Sequence, residues 1–249
     1  MLDAERNCWP DIAKATETGL VAFLATGAVE QHGAHLPLMT DTVMANGVAK
    51  RLAAVCDGFL LPPLAYGEAW TAEGYPGTIS IRPETLKALI YDIGASVRKS
   101  GIKALVIVNG HFGNREPIVL AARALKVDFG FPVLYLDYPG LADFAGEICE
   151  STPAAPHFYH ADEVETSIML ALAPDTVDMS RAEASYPVFP ETFGTEAIEF
   201  HTFNPSGVFG DPRPSTSEKG EALLERIEAS SLRIVDAFMA RHALKVVGK

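Results

Sequence analysis

The sequence predicts an α/β fold, a three-layer α/β/α sandwich with a mostly parallel sheet. Four short runs are apolar almost throughout instead of alternating, as expected of strands that are covered on both faces. Between them lie segments whose apolar residues recur every three or four positions, the spacing of helices that pack on one face. Buried strands that alternate with amphipathic helices are typical of a parallel sheet with helices on both sides.

The first half of the chain contains two predicted strand–helix pairs. Residues 21–26 form the first strand, and residues 42–55 form the helix after it. Residues 59–62 form the second strand, which precedes a helix over residues 84–99. Pro83 stands just ahead of that helix, in the first-turn position that proline favours. Both pairs have the lengths expected of a parallel α/β unit.

The second half repeats this pattern. A strand over residues 104–109 leads to a helix over residues 114–127. A strand over residues 133–137 precedes a helix over residues 161–173, which Pro174 ends. The same α/β alternation therefore continues to this point of the chain.

The rest of the chain has another character. Residues 178–217 are rich in Pro, Gly, Ser, Thr and Phe and show little periodicity, which predicts a long ordered excursion over the core. A final helix over residues 218–242 carries apolar residues for docking. Because no repeat or break in composition divides the chain, we expect a single domain over residues 1–249.

Composition excludes several classes of partner. Hydrophobic residues make up 48% of the chain and charged residues 21%, as in globular proteins. The net charge of −12 argues against a nucleic-acid partner, and no apolar run is long enough to cross a membrane. Cys8, Cys56 and Cys149 are too widely spaced for a disulfide framework, and each is expected to be a small buried residue. Without a signal-type N-terminus, a cytoplasmic location is predicted.

Chemically active side chains follow the predicted strands, where ligands bind in open α/β sheets. After the first strand, Glu30 and His32 are two residues apart, so in an extended segment both point the same way. Asp41 comes nine residues after His32, at the expected N-cap of the next helix. Asp41 alone is commonly a plain cap, and a lone loop histidine is commonly solvated. Together, in a glycine-rich turn, the three residues favour a metal site.

Two further segments carry comparable residues. His111 lies in a glycine-flanked turn after the third strand, and its alternative is a polar turn in which Asn114 caps the next helix. If the helix starts at residue 161, His160 and Glu163 share a face, whereas Glu165 lies on another. The alternative here is a solvated acidic first turn that the helix dipole favours.

Taken together, these segments resemble the creatininase family, also called creatinine amidohydrolases. The first is Gly27-Ala-Val-Glu-Gln-His-Gly-Ala-His-Leu-Pro-Leu-Met-Thr-Asp41 and the second is Asn109-Gly-His111. The third is His160-Ala-Asp-Glu-Val-Glu-Thr-Ser167, in which Asp162 departs from the family's glycine. Weaker similarity over residues 75–80 and 207–220 extends the resemblance to nearly the whole chain. It implies a creatininase-like sandwich.

The resemblance implies two divalent metal ions per subunit, for which oxygen and imidazole ligands admit zinc, manganese or iron. Glu30 and His111 would bind one ion, His32 the second, and Asp41 both. Creatinine-hydrolysing relatives have another glutamate where this chain has Gly113, so the second ion lacks a ligand. We expect Glu163 to replace it. Glu165 is the alternative ligand or a support for the site.

The implied reaction is hydrolysis of a C–N amide bond. Two divalent ions and three carboxylates leave a formal charge of about +1, which suits holding a hydroxide that attacks an amide carbonyl. His160 would pass the proton to the leaving nitrogen as general acid–base. Candidate substrate contacts are Phe112 and Thr78. His35 is expected to support the site or line its entrance, and further candidates for the entrance are Tyr66, Trp70 and Tyr75.

The substrate is expected to differ from creatinine. Creatinine-hydrolysing relatives carry a Trp-Asp pair ahead of the counterpart of His160 and a tyrosine at the position of Phe112, whereas this chain has Pro156 and His157 at the pair. A cyclic amide, formamide or related small amide is expected, as for relatives that deformylate formamidopyrimidines. The alternatives are a peptidase for a ribosomally made redox-cofactor precursor (mycofactocin type) and a non-catalytic metal-binding homologue. The resemblance also implies a homo-oligomer, such as a hexamer.

Overall fold

The fold is built on a five-stranded sheet in which every pair of neighbouring strands is parallel. A computed structural model describes residues 1–244, so the last five residues of the predicted domain lie outside the described part. The strand order is β1-β3-β2-β4-β5. The strands are β1 (Leu2–Asp3), β2 (Val21–Thr26), β3 (Phe59–Leu60), β4 (Ala104–Asn109) and β5 (Val133–Leu136).

Helices cover both faces of the sheet. They are α1 (Trp9–Thr16), α2 (Thr40–Val55), α3 (Pro83–Lys99), α4 (Arg115–Phe129), α5 (Leu141–Ile148), α6 (Glu163–Leu172) and α7 (Ser217–Arg241). Helices α2, α5, α6 and α7 pack on one face through a core that includes Phe23 and Val106. Helices α1, α3 and α4 pack on the other face around Leu24 and Ile107. The predicted three-layer sandwich is confirmed.

The strand bounds follow from the local sequence. Strands β2 and β4 occupy the predicted residues, because each is an unbroken apolar run that ends at a glycine. Strand β3 ends two residues earlier than predicted, since Pro62 and Pro63 have no N–H for a sheet. The sequence did not predict β1, α1 or α5, which are short and bury few residues.

Two helix starts differ from the prediction in ways that affect the site. Helix α2 begins at Thr40, with Met39 as its N-cap, so Asp41 lies in the first turn and is not the cap. Helix α6 begins at Glu163 and not at residue 161. Its N-cap is Asp162, whose Oδ1 accepts hydrogen bonds from the backbone N–H groups of Val164 and Glu165.

The long segment between α6 and α7 folds around an aromatic cluster. Its members lie in edge-to-face or tilted contact and are Phe158, Phe189, Phe193, Phe200, Phe203 and Phe209. The backbone N–H of Phe209 donates to the carbonyl of His160 at 3.1 Å. The segment thereby holds the chain just ahead of α6.

The described residues contain no candidate membrane span and no disulfide. Within residues 1–244, no helix combines the length and apolar character that a membrane span requires. The three cysteines are free. Contrary to the prediction, Cys8 is exposed, and Cys56 and Cys149 are only partly buried.

Candidate metal centre

The candidate site lies beyond the carboxyl ends of β2 and β4. These strands are neighbours, and their last residues, Thr26 and Asn109, are paired in register. The loop after β2 carries Glu30 and His32, and the turn after β4 carries His111. Parallel strands end at the same edge of the sheet, so two segments about 80 residues apart in sequence meet there.

Asp41 occupies the middle of the cluster. Its Oδ2 lies 2.9 Å from His111 Nδ1, and its Oδ1 lies 3.1 Å from His32 Nε2. Glu30 Oε2 is also 2.9 Å from His111 Nδ1, and Glu165 Oε2 is 3.6 Å from His32 Nε2. All five residues are buried. Asp41 therefore faces one histidine with each oxygen.

The ligand-type atoms form overlapping groups, each within 4.8 Å. One group contains Glu30, Asp41 and His111, and a second contains His32, Asp41 and Glu165. A third contains Glu30, His32 and His160. Asp41, Glu30 and His32 each belong to two groups, and Asp41, which faces one histidine with each oxygen, could serve two ions at once.

The chemistry of these atoms fits metal ions better than it fits hydrogen bonding. His32 Nε2 and Asp41 Oδ2 are sealed from solvent, and their close contacts at 3.1 Å and 2.9 Å lack the geometry of hydrogen bonds among the described residues. A buried polar atom without a partner costs about 1–3 kcal/mol, which a bound cation would relieve. Mixed imidazole and carboxylate ligands suit zinc, manganese and iron.

Backbone carbonyls orient both central histidines. His32 Nδ1 donates to the carbonyl of Glu30 at 3.0 Å, and His111 Nε2 donates to the carbonyl of Glu68 at 2.7 Å. Each ring therefore turns its other nitrogen toward Asp41. Metal-binding histidines in proteins are commonly held by such a second hydrogen bond. Gly113 lies against the same Glu68 carbonyl, which leaves no room for a side chain there.

The structure corrects the expected role of Glu163. Its carboxylate accepts from the backbone N–H groups of Glu150 and Ser151 and pairs with Lys219 Nζ at 2.6 Å. Glu165 is the residue that faces His32. The prediction assumed a helix from residue 161 onward, whereas Ala161 has a left-handed φ of 52° and the helix starts at Glu163.

His160 lies beside the cluster. Its ring centroid is 4.4 Å from that of His32, and Phe209 and Phe200 contact its other side. Its Nε2 is 2.8 Å from the side-chain nitrogen of Gln31. Burial and the positive charge of His32 together lower the pKa of His160 to about 4, against the opposing charges of Glu30 and Asp41. The ring is therefore neutral at pH 7.

The other residues that were expected at the site differ in their burial and contacts. Phe112 is 68% exposed, and the Arg115 guanidinium lies 4.2 Å from its ring centroid. Thr78 Oγ1 accepts from the backbone N–H of Gln31 at 3.1 Å, so this hydroxyl supports the loop. His35 is buried and shares a hydrogen bond with Thr166 Oγ1. It therefore supports the site and does not line the entrance.

The candidate entrance residues differ among themselves. Tyr66 and Trp70 are exposed. Tyr75 is partly buried and donates its hydroxyl hydrogen bond to the carbonyl of Asn204, so it anchors the aromatic segment.

Three further residues lie near the site: Asn114, Tyr138 and Gln31. Asn114 occupies the N-cap position of α4, but its side chain makes no capping hydrogen bond there. Its amide accepts from the N–H of Glu68 and donates to the carbonyl of Gly27, which fixes the Glu68 carbonyl behind His111. The Tyr138 hydroxyl, after β5, is buried without a hydrogen-bond partner in residues 1–244. Gln31 and Asn114 lie inside motifs that sequence reasoning had singled out, and Tyr138 begins the segment after β5.

Metal binding by this cluster should release protons. Burial opposes charge on His32, but Asp41, Glu165 and Glu30 raise its pKa to about 10. Burial likewise opposes charge on His111, and Glu30 and Asp41 raise its pKa well above the usual range. Burial raises the pKa of Glu165 to about 8, against the opposing charge of His32. All three groups thus hold protons at pH 7 in the metal-free protein.

We expect about two to three protons to leave per subunit when zinc binds at pH 7. Because ligands must be deprotonated, the affinity for zinc should fall steadily as the pH drops from 8 to about 6. Calorimetry in buffers of different ionisation enthalpy measures the number released. Zinc binding without proton release would contradict the proximity of these groups to the metal.

Known proteins resemble this chain along most of its length. The sequence matches the Creatininase family, described as creatinine amidohydrolase, over residues 5–235. It is 33% identical over 211 residues to a mycofactocin precursor peptide peptidase of Mycolicibacterium smegmatis, covering 82% of this chain and 79% of that protein. It is 30% identical over 230 residues to a creatinine amidohydrolase of Pseudomonas putida, covering 86% and 87%.

Solved structures share the fold. A crystal structure of creatinine amidohydrolase matches with a TM-score of 0.87 and 26% identity, covering 98% of this chain and 99% of that one. A manganese creatininase matches with a TM-score of 0.82 and 27% identity, covering 97% and 98%. The family match spans nearly the whole chain and includes every residue of the cluster. The chain therefore belongs to the creatininase family of amidohydrolases.

Proposed function

We propose that this protein is a divalent-metal-dependent amidohydrolase that cleaves the C–N bond of a small amide. The observation that carries the proposal is the position of Asp41 between two oriented histidines. Glu30, Asp41 and His111 would hold one ion. His32, Asp41 and Glu165 would hold the second.

The bound ions and the side chains of the protein would have different roles in the reaction. Bound divalent ions lower the pKa of a coordinated water from 15.7 to about 7 and polarise a carbonyl oxygen. Asp41 fixes the spacing of the ligands, and the carbonyls of Glu30 and Glu68 fix the two histidine rings. His160 is the proposed catalytic residue, a neutral imidazole for proton transfer or hydrogen bonding to the reacting amide.

The first candidate substrate class is cyclic amides and formamides. Pro156, His157 and Phe112 stand where the creatinine-hydrolysing relatives have a Trp-Asp pair and a tyrosine, so creatinine is not the substrate we propose. The second candidate is a peptide amide. Identity to a mycofactocin precursor peptide peptidase over 82% of the chain favours it, and the exposed ring of Phe112 leaves a peptide room to approach.

Metal analysis and a substrate panel test the proposal together. Purified protein is stripped with chelator, reconstituted with zinc or manganese, and assayed on cyclic ureides, formamides and peptides with varied C-terminal dipeptides. We expect about two equivalents of metal per subunit and turnover of one substrate class. Binding of less than about one equivalent of either metal would reject the metal-dependent hydrolase and leave a protein of another function.

A His160→Ala variant should separate catalysis from metal binding. We expect it to retain both metal equivalents and to lose about 10²–10⁴-fold in kcat, the usual contribution of a positioned acid–base group. Metal content and initial rates measure the two effects. His201→Ala is the matched control, because His201 is exposed and pairs with Glu199 away from the cluster. Undiminished turnover by His160→Ala would remove His160 from the mechanism.

We also propose that the subunits form a homo-oligomer, such as a hexamer, in the cytoplasm. The resemblance to the creatininase family supports the oligomer, and the cytoplasmic location follows the expectation from the sequence. Light scattering on the purified protein measures the oligomeric state, and a monomer at micromolar concentration would contradict it.

A further inference from the structure

The side chain of Gln31 contacts three hydrogen-bonding groups, and its backbone N–H contacts a fourth. Its Oε1 accepts from the backbone N–H of Gly33 at 3.0 Å, and its Nε2 donates to the carbonyl of Gly207 at 3.2 Å. The same Nε2 lies 2.8 Å from His160 Nε2. Its own backbone N–H donates to Thr78 Oγ1. Gln31 is buried, and a side chain at Gly207 would overlap its amide.

These contacts leave one orientation for the amide. Exchange of its oxygen and nitrogen would place an oxygen against the Gly207 carbonyl and an NH2 group against the Gly33 N–H. Both contacts would then be repulsive, because a carbonyl only accepts and a backbone N–H only donates. The Gln31 nitrogen therefore faces His160 as a donor.

The orientation of Gln31 determines the protonation of His160. A nitrogen that accepts a hydrogen bond has a free lone pair, so His160 Nε2 carries no proton. A neutral imidazole then carries its proton on Nδ1. Imidazolium would set an N–H of His160 against an N–H of Gln31 at 2.8 Å, which is unfavourable.

The other nitrogen of His160 is open. Nδ1 has no hydrogen-bond partner in residues 1–244, yet it is not among the side-chain atoms that are sealed from solvent. The ring cannot easily turn, because His32 packs on one side and Phe200 and Phe209 on the other. A ring that packs against His32 thus offers an N–H donor for which residues 1–244 supply no acceptor.

We propose that Gln31 is a positioning residue that fixes His160 as the Nδ1–H tautomer, so that His160 acts on the substrate as a neutral hydrogen-bond donor. The inference rests on the proposed amide hydrolysis. The Nδ1–H would stabilise the negative charge that develops on the amide as its carbonyl is attacked, and no proton leaves the ring in that step. It narrows the role of His160, because the lone pair that a general base needs is already engaged by Gln31.

Two substitutions of Gln31 test the assignment. Gln31→Glu keeps the shape but replaces the donor with a carboxylate, which should draw the His160 proton to Nε2. Gln31→Met removes the hydrogen bond without adding charge and should leave a mixture of tautomers. Nitrogen NMR of ¹⁵N-histidine-labelled protein, assigned with His160→Asn, identifies the protonated ring nitrogen with and without zinc. We expect Nδ1–H in the unsubstituted protein, Nε2–H in Gln31→Glu and averaged signals in Gln31→Met.

Turnover should follow the tautomer. Loss of one donor to a developing negative charge typically lowers kcat about 10²–10³-fold. We expect that loss in Gln31→Glu and a smaller one in Gln31→Met, with KM changed less than about threefold in both. Bound zinc is measured in each variant, so rates are compared at equal metal content. A role for Gln31 in packing alone would lower both rates alike and leave the tautomer unchanged.

Each outcome decides a separate point. An Nε2–H tautomer or an imidazolium in the unsubstituted protein at pH 7 would overturn the inference. Undiminished kcat in Gln31→Glu with a swapped tautomer would overturn the donor role. The NMR result does not depend on any substrate, so the tautomer can stand even if no amide in the panel is hydrolysed.

Discussion

An Asp41→Asn variant should lose both metal ions and all measurable turnover. The substitution keeps the shape of the side chain but removes the charge and one of the two acceptor oxygens that face His111 and His32. Loss of a group that only supports a metal ligand typically weakens metal binding about 10–100-fold. Loss of a ligand shared by two ions should weaken metal binding more than that. We therefore expect more than about 100-fold weaker zinc binding and less than one bound equivalent.

The metal-free form of this variant should also be less stable. His32 and His111 are protonated at pH 7 in that form, and Asp41 is the carboxylate that both of them contact. Removal of one partner from buried ion pairs costs about 3–5 kcal/mol. Denaturant unfolding of the metal-free proteins measures the difference, and circular dichroism first establishes that the variant is folded.

Asp178→Asn is the matched control for Asp41→Asn. Asp178 is exposed, and its carboxylate caps a turn through Ser180 and contacts none of the ligand-type side chains. Metal content, turnover and stability should remain within error of the unsubstituted protein. Two tightly bound equivalents in Asp41→Asn would contradict the shared-ligand role of Asp41.

Two substitutions in α6 should affect different properties, since Glu165→Gln should impair metal binding and Glu163→Gln should lower stability. Glu165→Gln should weaken the second metal site by more than about 100-fold and stop turnover, because Glu165 faces His32. Its amide oxygen can still accept from the backbone N–H of Ala161, as the carboxylate does now at 2.6 Å, so the fold is retained. Metal stoichiometry and initial rates measure the result.

Glu163→Gln should leave metal content unchanged and lower stability instead. Glu163 is buried and neutralises Lys219 while accepting from two backbone N–H groups, so its loss should cost about 2–3 kcal/mol. Burial opposes charge on Glu163, but Lys219 and these N–H groups lower its pKa. The stabilisation is therefore complete above pH 4.5 and fades as the pH falls through the lowered pKa.

Stability curves of the two proteins as a function of pH check this prediction. The difference between unsubstituted protein and Glu163→Gln should be constant from pH 6 to 8 and should shrink below about pH 4. Loss of a metal equivalent in Glu163→Gln, with retention of both in Glu165→Gln, would restore Glu163 as the ligand.

Much of the fold could be derived from the sequence because its strands are simple. Strands β2 and β4 are six-residue apolar runs, and both faces of such a run must be buried. The elements that were missed bury little surface. Helix α1 has no buried residue, so its sequence carries no long apolar face to reveal it. The periodicity of apolar residues reveals elements that bury a face, so elements that bury little surface are not predicted from it.

The candidate site, like the fold, could be predicted from the sequence only in part. Spacing and residue type were enough to single out Glu30, His32, Asp41, His111 and His160, since each is a ligand-type or imidazole side chain at the end of a strand or the start of a helix. Their convergence required β2 and β4 to be neighbours. That pairing depends on contacts between segments distant in sequence, which no local pattern specifies.

The sequence by itself determined the fold class, the family and the segments from which the metal centre is built. Tertiary structure decided that Glu165 and not Glu163 faces His32, and that Gln31 directs a donor at His160. The helix start depends on Ala161 in a left-handed conformation and on Asp162 as the cap. Glu163 is drawn away by Lys219 and the turn at Ser151. The direction of the Glu163 side chain depends on partners 12 and 56 residues away in sequence, whereas a sequence motif specifies only the residue type.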